Sequence, residues 1–139
     1  MNGFLLDTNV VSELTRTEPN SNVIAFLSEH QDLWLSAVVL HKLEFGLQLL
    51  PDGQRRDLLS AALAGIVNEY QDRIVPVDRE VAERAAAFRA QAHRGGRALD
   101  LGDALIAGTA RAHDLSVTTR NVADFSGLDV RVINPWERV

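Results

Sequence analysis

The chain has 139 residues, 46% of them hydrophobic and 24% charged, enough for one domain with a proper core and ordinary for a soluble globular protein. No apolar run approaches the roughly 20 residues of a membrane helix. The start lacks the basic n-region of a signal peptide, and the absence of cysteine rules out disulfides, thiolate metal sites and a cysteine nucleophile; a cytoplasmic protein is expected. The net charge of −5 argues against a surface that grips nucleic acid through phosphates. It permits an acidic centre with a basic rim, for which Arg55, Arg56, Arg94, Arg97 and Arg120 are candidates, although scattered arginines are more often plain surface.

Phe4-Leu5-Leu6 is a continuous apolar run, as expected of a strand covered on both faces in a parallel sheet. It runs straight into Asp7, Thr8 and Asn9, and Val10–Leu14 reads as a short helix. Open parallel sheets place ligands at the carboxyl ends of their strands, which is where Asp7 falls; capping of the following helix explains Asp7 equally well. After the break at Glu18-Pro19-Asn20, a helix is predicted from Asn22 to His30 with Ser21 as its cap, followed by a strand over Trp34–Ser36. Val38–Leu50 and Arg55–Tyr70 read as a helical hairpin about the Pro51-Asp52-Gly53 turn, with Leu59, Leu63, Ile66 and Tyr70 on one face of the second helix. Ile74–Val77 is a short strand that its proline confines to limited or edge pairing. Asp78 caps a helix whose Val81, Ala85, Phe88 and Ala92 share a face and which Gly95-Gly96 ends. A helix from Leu101 to His113, a strand over Leu115–Thr119 and a last strand over Asp129–Ile133 complete the pattern. Such alternation indicates an α/β fold with a central, mainly parallel sheet of four to five strands, in a single domain.

Three carboxylates recur at one kind of place. Asp7 follows the first strand, Asp103 opens the helix at Leu101, and Asp124 follows the Leu115–Thr119 strand by one short loop. In a parallel sheet these positions share an edge. Carboxylates that converge repel, and a hard divalent cation such as Mg²⁺ relieves the conflict while orienting a phosphodiester and acidifying a water. Each position also has a structural reading: Asp100 and Asp103 fit an N-cap and an N3 residue, the better explanation for Asp100, and Asp124 fits a cap or plain loop.

The helix over 38–50 holds an oddity. At about 100° per residue, Val38, Val39, Leu40, Leu43, Gly46, Leu47, Leu49 and Leu50 form a broad apolar arc, with His41, Glu44 and Gln48 opposite. Lys42 falls inside the apolar arc, between Leu49 and Gly46. An ammonium there must snorkel out or find carboxylates, because burying it unpaired costs several kcal/mol.

Several of these segments resemble the motifs of PIN-domain nucleases, above all VapC-type toxins of bacterial toxin–antitoxin pairs and their FitB-like branch. The first is Leu5-Leu6-Asp7-Thr8-Asn9-Val10, the second Leu35-Ser36-Ala37-Val38-Val39-Leu40-His41-Lys42-Leu43-Glu44-Phe45-Gly46, and the third begins at Asp103-Ala104-Leu105-Ile106. The fourth is Val117-Thr118-Thr119-Arg120-Asn121-Val122-Ala123-Asp124-Phe125, and Asn134-Pro135-Trp136 matches a frequent ending. The resemblance implies a PIN-like fold, a parallel sheet with helices on both faces, and Mg²⁺- or Mn²⁺-dependent RNA cleavage. It implies that Asp7 and Asp103 bind the metal, that Asn121 or Asp124 supplies a variable polar or acidic group, and that Thr8 and Thr119 are supporting hydroxyls. It also implies a cognate antitoxin protein that wraps the toxin, places a basic side chain in the acidic pocket and carries operator DNA binding, and a homodimer or toxin–antitoxin hetero-oligomer. The hairpin's Leu58, Leu59 and Leu63 are candidate partner surface.

One position departs from the family pattern. Counting back four from Gly46 gives Lys42 where the family carries an acid. An ammonium there is expected to pair with Asp7 or Asp103, to weaken metal binding and to impair cleavage. The alternative is a catalytically dead module that only binds its antitoxin. A phosphoacceptor domain of the response-regulator kind fits poorly: Asp7 has no acidic neighbour before Glu13, and no lysine follows position 42.

Overall fold

The computed structural model describes residues 3–137. The elements in order are β1 (Gly3–Leu6), α1 (Thr8–Leu14), α2 (Ser21–Glu29), β2 (Leu33–Ser36), α3 (Ala37–Leu49), α4 (Gln54–Glu69), β3 (Ile74–Val75), α5 (Arg79–Arg94), α6 (Leu101–His113), β4 (Leu115–Thr118) and β5 (Val132–Ile133). The strands form one sheet in the order β3-β2-β1-β4-β5, and every pairing is parallel. Consecutive strand residues point to opposite faces. Leu5 and Leu6 are both fully buried, so helices must cover both sides of β1. No helix among the described residues is long and apolar enough to cross a membrane.

The edges of the sheet depart from the sequence reading. β3 stops at Val75, because Pro76 has no N–H to continue the ladder, and it lies at the sheet edge. β5 is confined to Val132–Ile133 rather than starting at Asp129, and β4 ends at Thr118. α1 begins two residues before the predicted Val10, which places Thr8 and Asn9 in its first turn. Asn20, not Ser21, caps α2: its side-chain oxygen accepts from the N–H groups of Asn22 and Val23, the stronger arrangement for an asparagine one residue earlier.

The broad apolar arc of α3 is not a buried face throughout. Val39 and Leu47 are buried, whereas Phe45 and Leu49 are 59% and 68% exposed. Lys42 therefore lies at the border of the buried face. On α4, Leu63 is buried and Leu58 exposed. α5 and α6 approach so closely that a Cβ on Gly108 would stand 2.7 Å from the Val81 carbonyl oxygen and 3.0 Å from the Ala85 nitrogen. That packing fixes α6, whose first turn carries Asp103.

Candidate active site

β1 and β4 are neighbours in the centre of the sheet, so the residues just past their carboxyl ends meet. The backbone N–H of Asp7 donates to the Thr118 carbonyl at 2.9 Å, extending the ladder by one bond. Asp7 is only 5% exposed, and both its oxygens are held. Oδ1 accepts from the N–H of Thr8 at 2.8 Å, and Oδ2 accepts from the Thr119 hydroxyl at 2.8 Å. Asp7 is thus the cap of α1 and a wall of the cleft at once. The Thr119 oxygen also accepts from Asn9 Nδ2 and from the Asn121 N–H, both at 3.1 Å, while Asn9 Oδ1 accepts from the Arg120 N–H at 3.3 Å. One fully buried hydroxyl therefore ties the fourth motif to the first.

α6 supplies Asp103. Its N-cap is Asp100, whose Oδ2 accepts from the Asp103 N–H at 3.2 Å. α3 packs against this end of α6 and brings in Lys42, whose Nζ lies 3.9 Å from Asp103 Oδ1. Of the two carboxylates expected as its partner, Asp103 is the one it meets. Their side chains are 33% and 19% exposed, so the pair is neither buried nor free in solvent. Gly102 makes room for it: a Cβ there would stand 2.7 Å from Lys42 Cε and 2.9 Å from its Nζ. The Asp103 carboxyl is pushed up to about 6, first by desolvation and further by the carboxylates of Asp7, Asp100 and Asp124, while the Lys42 ammonium opposes the rise.

The cleft between these elements has a volume of about 640 Å³ and is lined by Asp7, Thr8, Asn9, Ser12, Glu13, Arg16, Lys42, Asp100, Asp103, Arg120, Asn121, Asp124 and Trp136. Asp7, Lys42, Asp103, Asn121 and Asp124 thus face one space. Asn121 and Asp124 are exposed, Asp124 within a single 3-10 turn over Val122–Phe125. Glu44 points away from the cleft and accepts a surface hydrogen bond from Gln48. Among the described residues, no group of three acidic or histidine side chains stands close enough to hold a metal. The donor set still fits Mg²⁺, which takes one or two carboxylates and keeps its waters. The buried Thr8 hydroxyl, which lines the cleft and has no hydrogen-bond partner, is consistent with a further ligand or water there.

Sequence reasoning missed three contributors. In the sequence Asn9 reads only as a neighbour of Asp7, yet it bridges the two strand ends. Glu13 is buried, pairs with Arg16 at 3.4 Å and accepts from the Asn20 N–H at 2.8 Å, fixing the turn beyond α1. Trp136, in the closing tripeptide, returns to the cleft mouth beneath Arg120. Its only signal in the sequence was the Asn134-Pro135-Trp136 ending.

Comparisons with known proteins agree with this architecture. The PIN domain profile matches residues 4–129. The chain is 39% identical to toxin FitB of Neisseria gonorrhoeae over 136 residues, 96% of this chain and 98% of the relative. It is 37% identical to the VapC ribonuclease Y4jK of Sinorhizobium fredii over 137 residues, again 96% and 98% of the two chains. Among solved structures, FitAB bound to an IR36 DNA fragment matches with a TM-score of 0.89 at 36% identity, covering 98% of this chain and 97% of its counterpart.

Proposed function

The chain belongs to the PIN-domain family, in its branch of FitB- and VapC-like toxins, and from that premise we propose that it is an endoribonuclease that hydrolyses RNA phosphodiester bonds with Mg²⁺ or Mn²⁺, its activity lowered by Lys42. The observation that carries this reading is the cleft in which Asp7 and Asp103 face the Lys42 ammonium. Asp7 and Asp103 are the residues that would hold the metal. When bound, such an ion supplies charge stabilisation at the phosphate and an acidified water.

The protein's own part is preorganisation. Thr8 N–H and the Thr119 hydroxyl fix the Asp7 carboxylate before any ligand arrives, and the Asp100 cap fixes the turn that carries Asp103. Asn121 and Asp124, at the exposed edge of the cleft, are placed to orient water or substrate by hydrogen bonds. Lys42 neutralises part of the charge that would otherwise attract a cation, and it competes for Asp103. Removing one unit of negative charge from such a site is a direct way to lower its metal affinity.

The partner we propose is a cognate antitoxin, with operator DNA reached only through it, a reading supported by the solved complex of FitAB with an IR36 DNA fragment. The exposed Phe45, Leu49 and Leu58 offer apolar surface for that contact or for a homodimer. The second reading, an antitoxin-binding module without activity, is favoured only by the Lys42–Asp103 pair. Cleavage of single-stranded RNA by wild type, Lys42→Glu and Lys42→Glu/Asp7→Asn, with Mg²⁺ and with chelator, separates the two. The nuclease reading expects weak wild-type cleavage, a gain with Lys42→Glu and loss of that gain with Asp7→Asn or chelator. No cleavage by any form supports the inactive module.

A further inference from the structure

Three cationic side chains line the cleft, and two of them face carboxylates: Arg16 meets Glu13 at 3.4 Å and Lys42 leans on Asp103 at 3.9 Å. Arg120 differs. Among the described residues no carboxylate pairs with it, although the cleft is rich in them. Its guanidinium carbon lies 5.2 Å from the centroid of the Trp136 ring instead.

The backbone on both sides of that stack is held. The Trp136 N–H donates to Asn134 Oδ1 at 2.9 Å, its carbonyl accepts from Asn22 Nδ2 at 2.8 Å, and Pro135 before it is buried. The backbone of Arg120 is held by its N–H on Asn9 Oδ1, and Thr119 immediately before it grips Asp7. The arginine is therefore set at a defined place beside the carboxylates, on an exposed wall. A guanidinium resting on an indole keeps its N–H donors available, and its planar fork suits two oxygens of a phosphate. An acidic cleft repels the backbone of RNA, so an uncommitted cation at its wall has a clear use.

We propose that Arg120 binds a backbone phosphate of single-stranded RNA at the cleft mouth, with Trp136 positioning the guanidinium beneath it. The inference rests on the RNA-cleaving reading above and adds to it a residue that sets where the strand lies. It calls for binding measurements, since cleavage is expected to be weak.

Anisotropy of a fluorescein-labelled single-stranded RNA oligonucleotide, titrated with protein in chelator at a series of KCl concentrations, tests it. Each phosphate contact on a single strand adds about 0.7 to the slope of log affinity against log salt. Arg120→Ala is expected to lower that slope by about 0.7 and to weaken binding about tenfold at low salt. Arg120→Lys keeps the charge and hence the slope, but loses the fork and the stack and binds severalfold more weakly. In a Trp34→Phe background, where Trp136 is the remaining tryptophan, RNA is expected to change its emission in the wild-type Arg120 form and not in Arg120→Ala. Wild-type binding with an unchanged slope in Arg120→Ala overturns this inference alone and leaves the stack to a protein contact. A wild type that binds no RNA overturns both this inference and the RNA-cleaving reading.

Discussion

Replacing Asp103 by asparagine should make the protein more stable at neutral pH, even though it removes a residue placed at the centre of the cleft. The Asp103 carboxyl ionises near 6 in the folded chain against 3.8 for the free side chain. Each pH unit of displacement is worth about 1.4 kcal/mol, so the full value would be about 3 kcal/mol. The cleft is open to water and the group is only partly buried, which reduces it to about 1–2 kcal/mol. The sign follows from proton binding. Below about pH 4 the carboxyl is protonated in both folded and unfolded chains, and asparagine mimics it. Between about 4 and 6 the folded chain holds the proton more tightly than the unfolded one, so wild-type stability falls as pH rises through that window. The advantage of Asp103→Asn should therefore be absent at about pH 4, grow across the window and level off above it. Urea denaturation of both proteins over that range measures it. A variant less stable than wild type at neutral pH, or a difference that does not change with pH, would refute the claim that carboxylate crowding and desolvation strain this site.

Thr119→Val removes the hydroxyl that donates to Asp7 and accepts from Asn9 and Asn121, and should cost about 1–3 kcal/mol in urea denaturation. Any nuclease activity should fall further than that loss of stability explains, because Asp7 is freed to rotate. Gly108→Ala gains about 1 kcal/mol of helix propensity but places a methyl against the Val81 carbonyl and the Ala85 backbone. Backbone cannot step aside cheaply, so a net loss of about 1–2 kcal/mol is expected, and a higher melting temperature would contradict it. Asn20→Ala should cost about 1 kcal/mol by removing the α2 cap, whereas Ser21→Ala should cost almost nothing.

The central architecture was legible in the sequence because continuous apolar strands and helical periodicity both report burial directly. Val81, Ala85, Phe88 and Ala92 do form the buried face of α5, and Leu63 of α4 and Tyr70 just past its end are buried as well. Short edge elements were less legible. Two hydrogen-bonded residues suffice to define β5, and nothing local separates them from the extended chain before them. The helical spacing of α3 makes Lys42 look misplaced, but for an incomplete reason, since Phe45 and Leu49 beside it are exposed. What brings its ammonium to Asp103 is the approach of α3 to the start of α6 and the missing side chain of Gly102. That is a tertiary fact, as is the return of Trp136 from beyond β5 to lie under Arg120. Asp7 shows the limit from the other side: capping and site geometry use the same atoms, so no local pattern could have chosen between them.

The most direct measurement is a Mn²⁺ titration of wild type and Lys42→Glu by calorimetry, with Asp7→Asn as the control. If the Lys42 ammonium occupies the electrostatic place of a cation beside Asp103, the glutamate form binds Mn²⁺ at least about tenfold more tightly than wild type, a difference of about 1.4 kcal/mol, and Asp7→Asn abolishes the gain. Equal affinity in the lysine and glutamate forms would contradict the account.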